Sequence, residues 1–109
     1  DLDAAVREIR LRQRADGGWS QLDYRTSDAY ATGISLYALH EAGLPVTAEA
    51  YRKGVAYLLK NQYADGSWLV KTRAYPVQPF FESGFPFGPH QWISAAGTSW
   101  ASIALALTL

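Results

Sequence analysis

Gln62-Tyr63-Ala64-Asp65-Gly66-Ser67-Trp68 repeats, with two changes, the earlier stretch Gln13-Arg14-Ala15-Asp16-Gly17-Gly18-Trp19. Each copy closes a charged, helix-forming segment and precedes an apolar one. The two glutamines lie 49 positions apart. A second correspondence follows downstream: Asp28-x-x-x-Thr32 matches Ser94-x-x-x-Thr98, and the two threonines lie 66 positions apart. The second unit therefore carries 17 extra residues between its Trp and its apolar helix, within 69–93. An internal repeat at this spacing is the mark of stacked helical units, each covering part of its neighbour's apolar face.

Four helices can be read around these two turns. The first spans about Asp3 to Gln13, with Val6, Ile9 and Leu11 among Arg7, Glu8, Arg10 and Arg12. The run Ala15-Asp16-Gly17-Gly18 breaks it. Asp28 is a good N-cap for the second, which runs to Ala42 without a charge from Ala29 to Leu39. Gly43 suits the C′ position, with Pro45 just beyond. Thr47 is read as the N-cap of the third, which reaches Gln62 and turns Val55, Tyr57, Leu58 and Leu59 to the core. The fourth begins near Ser94 and continues through Leu107. Charged and apolar helices thus alternate, as expected of a two-layer arrangement in which outer and inner helices take turns.

The stretch from Lys53 to Trp68 closely resembles the QW motif of squalene-hopene and oxidosqualene cyclases, whose architecture the protein prenyltransferases share. Gly97-Thr98-Ser99-Trp100-Ala101-Ser102-Ile103-Ala104-Leu105 resembles the inner helix that follows such a motif. The likeness covers most of the chain apart from the insertion. It implies an all-α fold, an α/α toroid of helical hairpins, with repeat one at about 1–46 and repeat two at about 47–109. It also implies a structural role for Gln13, Gly17, Trp19, Gln62, Gly66 and Trp68. The physics agrees with that role. A Gln at a helix end can satisfy backbone groups left without partners, Gly permits a left-handed turn, and the Trp folds over the joint with one N–H to place.

The same resemblance sets expectations for chemistry. Class II terpene cyclases protonate their substrate with an Asp-x-Asp-Asp motif. No such motif occurs, since Asp1-Leu2-Asp3 is followed by Ala4, and Asp16 and Asp65 are turn residues. Prenyltransferases hold zinc with Asp, Cys and His, and this sequence has no Cys and two His. No catalytic residue, metal or cofactor is expected from these residues. The insertion supplies the remaining candidates for a binding loop: Arg73, Tyr75, Phe80, Phe81, Glu82, Phe85, Phe87, His90 and Trp92. His90 and Glu82 read either as polar groups of a binding surface or as partners for local backbone. His40 reads as a last-turn residue favoured by the helix dipole. Tyr30, Tyr37, Trp92 and Trp100 could meet a carbocation, though aromatics on apolar helices are more often core.

Composition narrows the field further. The chain has 109 residues, 49% hydrophobic and 18% charged, with zero formal net charge. That fits one globular unit and gives no reason to expect nucleic acid or an anionic membrane as partner. Without Cys there are no disulfides and no thiolate metal sites. The sequence holds no Met and begins at Asp1, so it reads as a processed form, a cut domain or part of something longer. No signal peptide is visible, and the compartment stays open. Residues 91–109 lack charge, but Ser94, Gly97, Thr98, Ser99, Ser102 and Thr108 suit a helix buried in protein better than one in lipid.

Three functions remain on the sequence: a non-catalytic repeat module packing against a larger chain or complex, the C-terminal part of a bacterial terpene cyclase-like enzyme acting on an isoprenoid, and another toroid enzyme such as a polysaccharide-active one. The missing acid motif favours the first. The expected partner surface is the fourth helix with the aromatic loop, with an apolar isoprenoid as the alternative ligand.

Overall fold

A computed structural model describes residues 1–22, 24–72 and 83–109. These residues are all-helical, with four α-helices and no strand beyond an isolated bridge between Trp19 and Asp28. The helices are α1 (Leu2–Leu11), α2 (Ala29–Glu41), α3 (Glu49–Asn61) and α4 (Gln91–Ala106), with a 3₁₀ turn over Gly88–His90 leading into α4.

Local chemistry sets most of the boundaries. Asp28 has extended backbone, and its Oδ1 accepts from the Ala31 amide at 2.7 Å, capping α2. At the other end the Gly43 amide donates to the His40 carbonyl and Leu44 to Leu39, with Gly43 at φ 98°. This is a Schellman ending, and it explains the glycine there. Asp1 caps α1 through Ala4, and Arg12 pairs with Glu8 one turn back at 2.9 Å.

Two expected starts are corrected. Thr47 is not the cap of α3: the helix begins at Glu49 behind Ala48, and no side chain caps it. Nor does α4 begin at Ser94; it starts three residues earlier, at Gln91. The 3₁₀ turn with Pro89 feeds straight into α4, so the helix does not need a serine start. Ser94 is instead fully buried, and its Oγ accepts from the Val70 amide at 2.8 Å and donates to the Val70 carbonyl.

The principal contact is α2 against α4, with α3 laid across both. Small residues make it close. A Cβ on Gly33 would lie 2.6 Å from the Trp100 carbonyl carbon, so only glycine admits this approach. Tyr37 and Trp100 meet edge to face at 5.5 Å beside it. Over them α3 buries Tyr51, Gly54 and Leu58, and the Tyr51 hydroxyl donates to the Ala104 carbonyl at 2.7 Å. Leu36, Leu39, Trp68, Val70 and Ala101 complete the core.

The outer helices are wetter than their patterns suggest. Leu59 is 58% exposed, against the expectation that it faces the core, and Leu11 at the end of α1 is 75% exposed. Leu58, one residue earlier, is fully buried, and the step of about 100° to Leu59 carries that side chain off the buried face of α3. In α1 no residue is buried, and Val6 and Ile9 are only half-covered. The uncharged α4 also differs from a helix buried all round. It buries a single stripe, Gln91, Ser94, Gly97, Ala101 and Ala104, and exposes Trp92, Ser99, Ser102, Ile103 and Ala106.

Candidate functional site: the paired turns and the inserted segment

The two Gln-x-x-x-Gly-x-Trp turns fold alike and share most of their hydrogen bonds. Gln13 Nε2 donates to the Gly17 carbonyl at 2.8 Å, and Gln62 Nε2 to the Gly66 carbonyl at 2.9 Å. The Arg14 amide donates to the Gly18 carbonyl and Tyr63 to Ser67, closing each turn. Gly17 and Gly66 both sit at φ 90°, where a side chain is strained. Asp16 and Asp65 each accept from the amide two residues on, at 2.9 Å. The Ser67 hydroxyl and amide hold the Asp65 carboxyl below its ordinary range.

Each tryptophan then ties two helices to its turn. Trp19 is 3% exposed and Trp68 1% exposed. Their indole N–H groups donate at 2.8 Å to Ile9 and Leu58, carbonyls near the end of the preceding outer helix. So Trp, and not the expected Gln, serves the carbonyls of its own outer helix. The Trp19 amide donates to Thr32 Oγ1 at 2.9 Å, and the Trp68 amide to Thr98 Oγ1 at 3.1 Å. The threonine correspondence read from the sequence is this shared bond, which roots each turn in the following apolar helix.

The turns differ chiefly in what lies against them. Gln13 Nε2 also donates to the Ala50 carbonyl at 2.8 Å, in the first turn of α3. Gly17 is buried there, and a Cβ on it would overlap the Lys53 carbonyl. The first turn is thus a seat for α3. At the second turn Gln62 is exposed, and a Cβ on Gly66 would meet only Gln62 within 4 Å among the described residues.

The inserted segment is described only in part. Arg73, Tyr75, Phe80, Phe81 and Glu82 lie outside the described residues. Phe85 and Phe87 are half-buried; Phe87 meets Tyr63 edge to face at 5.1 Å and tilts against Phe85 at 6.3 Å. Phe87 adopts φ 87°, left-handed backbone on a non-glycine residue, at the entrance to the 3₁₀ turn. His90 Nδ1 accepts from the Thr72 amide at 3.0 Å, so this imidazole serves the backbone. Gln91 is fully buried; its Oε1 accepts from the Ser83 hydroxyl at 2.6 Å and its Nε2 donates to the Gly88 carbonyl at 3.0 Å. Sequence reasoning passed over Gln91, and its place in an uncharged run beside a Pro-Gly segment was the one available signal. Trp92, expected in the core or in the binding loop, is 55% exposed on α4.

A cleft of about 270 Å³ opens at the start of α2, lined by Asp28, Arg25, Tyr57, Asn61 and Lys71 among others. Burial pushes the Tyr57 phenol up to about 12, helped by the Asp16 and Asp28 carboxylates. His40 lies in the last turn of α2 as read from the sequence. Its Nδ1 is buried and has no hydrogen-bond partner among the described residues, and the Glu41 carboxylate stands 3.9 Å away. Among the described residues no three His, Asp or Glu side chains come together as a metal site would need, and no helix is long and apolar enough to cross a membrane.

Compared with known proteins, the chain matches no family model, no curated protein and no solved structure.

Proposed function

We propose that this chain is a non-catalytic repeat module, of the α/α type seen in terpene cyclases, which packs against a larger chain or complex. The supporting observation is how the two Gln-x-x-x-Gly-x-Trp turns use their polar groups. Gln, Asp and Trp in each turn make the same structural hydrogen bonds in both copies. Side chains committed in this way hold the turns and helices in position, which is the role the proposal assigns them. The resemblance to the cyclase repeat rests on that motif, and so does the toroid as the parent architecture. Function then resides in what the module holds and meets. Its exposed apolar groups, Trp92 and Ile103 on α4 with Leu2 and Leu11 on α1, lie on its outer surfaces. These are the faces a neighbour would cover.

The test is to supply a further unit. Position 108 corresponds to position 42 in the repeat register, so residues 43–109 appended directly after Thr108 continue the pattern in phase. The expected result is a higher urea midpoint and less hydrophobic-dye binding per residue than in the parent chain, because neighbouring units stabilise one another. An added segment that melts separately and leaves the parent transition unmoved would overturn the proposal.

A further inference from the structure

The module contains one complete contact between successive units and, at its two ends, the separated halves of another. In the complete contact α3 rests on the first turn: Gln13 Nε2 reaches the Ala50 carbonyl, and Gly17 lies against Lys53. Beneath α3, the Leu36 side chain of α2 packs on Gly54, where a Cβ would lie 2.7 Å from Leu36 Cδ2. The repeat registers of 49 and 66 positions carry this contact onto other residues. The seat becomes Gln62 and Gly66, with Ser102 of α4 in place of Leu36. The seated helix becomes α1, with Ala4 and Ala5 in place of Lys53 and Gly54.

Each of these residues is available. Gln62, Ser102, Ala4 and Ala5 are all exposed, whereas Gln13 is half-covered and Gly54 buried. The second turn already has the folded shape of the first, down to the glycine φ of 90°. It therefore needs no rearrangement to receive a helix. On the other side α1 buries no residue of its own and carries Leu2 at 60% exposure. Ala4 and Ala5 are small enough to permit the close approach that Gly54 gives α3.

We propose that α1 of a second copy of this chain docks on the Gln62–Gly66 turn and the Ser102 face of α4. The contact is head to tail, and it rests on the repeat-module reading by naming that module's partner. The two surfaces differ, so the interface is heterologous and each dimer keeps one free head and one free tail. Copies then add in succession, as a closed ring or an open filament.

Two exposed substitutions separate the halves. Ala5→Arg blocks the head, and Ser102→Arg blocks the tail. Neither residue is buried, so both variants should keep the helical circular dichroism of the parent. In sedimentation velocity the parent chain is expected to form species that grow with concentration. Each variant alone is expected to stay monomeric. An equimolar mixture should give a dimer and stop there, because the intact tail of one variant meets the intact head of the other. A parent chain that stays monomeric at every concentration, or oligomers that survive both substitutions, would overturn the proposal. If the appended unit described above still stabilises the chain while free copies remain apart, the repeat-module reading stands and only the second copy is excluded.

Discussion

Replacing Trp68 with Ala removes the side chain that joins the end of α3 to the second turn. The indole is 1% exposed, and its N–H is bonded to the Leu58 carbonyl at 2.8 Å. Truncating a buried Trp costs roughly 3–5 kcal/mol through lost transfer energy and the cavity left behind. The Leu58 carbonyl also loses a donor, and an unsatisfied buried acceptor costs about 1–3 kcal/mol where water cannot replace the partner. Water entering the new cavity would recover part of that, so the lower end applies. The expected loss is about 4–6 kcal/mol. A domain of this size has roughly 5–15 kcal/mol in total, so Trp68→Ala should be close to unfolding. Urea denaturation followed by circular dichroism measures it, with Trp68→Phe as a partner variant. Phe retains most of the ring and loses the N–H, so its midpoint should fall between those of the parent and the Ala variant. An Ala variant with the parent's midpoint would refute the structural role of the turn, and a Phe variant as damaged as Ala would refute the division into packing and hydrogen bond.

The other predictions rest on single groups. Thr32→Val keeps shape but leaves the buried Trp19 amide without its acceptor at 2.9 Å, so it should cost about 1–3 kcal/mol in the same denaturation assay. Gly17→Ala and Gly66→Ala both place a Cβ at φ 90°, a strain of roughly 1–2 kcal/mol. Gly17→Ala must also displace α3 from the Lys53 carbonyl, so its midpoint should fall clearly below that of Gly66→Ala. Tyr57 holds its proton in the folded state up to about 12. Its contribution is intact below pH of about 10, the unfolded value, and is lost as pH rises toward the folded one. The full shift would correspond to about 2.7 kcal/mol, which solvent access to this half-buried ring reduces to roughly 1 kcal/mol. A Tyr57→Phe chain should accordingly lose less stability between neutral and strongly alkaline pH than the parent, and equal losses would show that Tyr57 is not responsible.

How much of this was legible in the sequence depends on where each residue's partner lies. Asp28 as a cap and Gly43 as a helix ending were readable because their partners are three to five residues away. The Thr32 and Thr98 correspondence was readable as a pattern, though its purpose, to accept the Trp19 and Trp68 amides, needed the fold. The failures have partners far along the chain. Ser94 has the composition of a cap, but its hydroxyl is committed to Val70, 24 residues earlier. Leu59 was read as core but is exposed, because among the described residues no neighbour packs over its side of α3. Hydrophobicity states only that burial would be favourable, not that a partner is present.

That distinction explains why the two turns are alike inside and unlike outside. Apart from the Ser67 hydroxyl on Asp65 and the bonds of Thr32 and Asp28 to the Trp19 carbonyl, the bonds that Gln, Asp and Trp make within a turn, or to the helices just before and after it, are formed twice. These contacts are local or nearly so, and the repeated sequence produces them wherever it occurs. The contacts that turn such a unit into a layer, Gln13 to Ala50 and Gly17 to Lys53, come from the following outer helix and are formed once. The second turn is therefore complete as a fold and incomplete as a seat. Its glycine keeps a conformation with φ 90° at a point where nothing described crowds it. A turn with no helix to receive could hold an Asn in left-handed backbone at little cost. At the first turn, glycine is required by the carbonyl that presses on it. Finding the same residue at both turns is what equal use of both seats predicts, and the mixture of head-blocked and tail-blocked copies is the direct measure of whether the second seat is used.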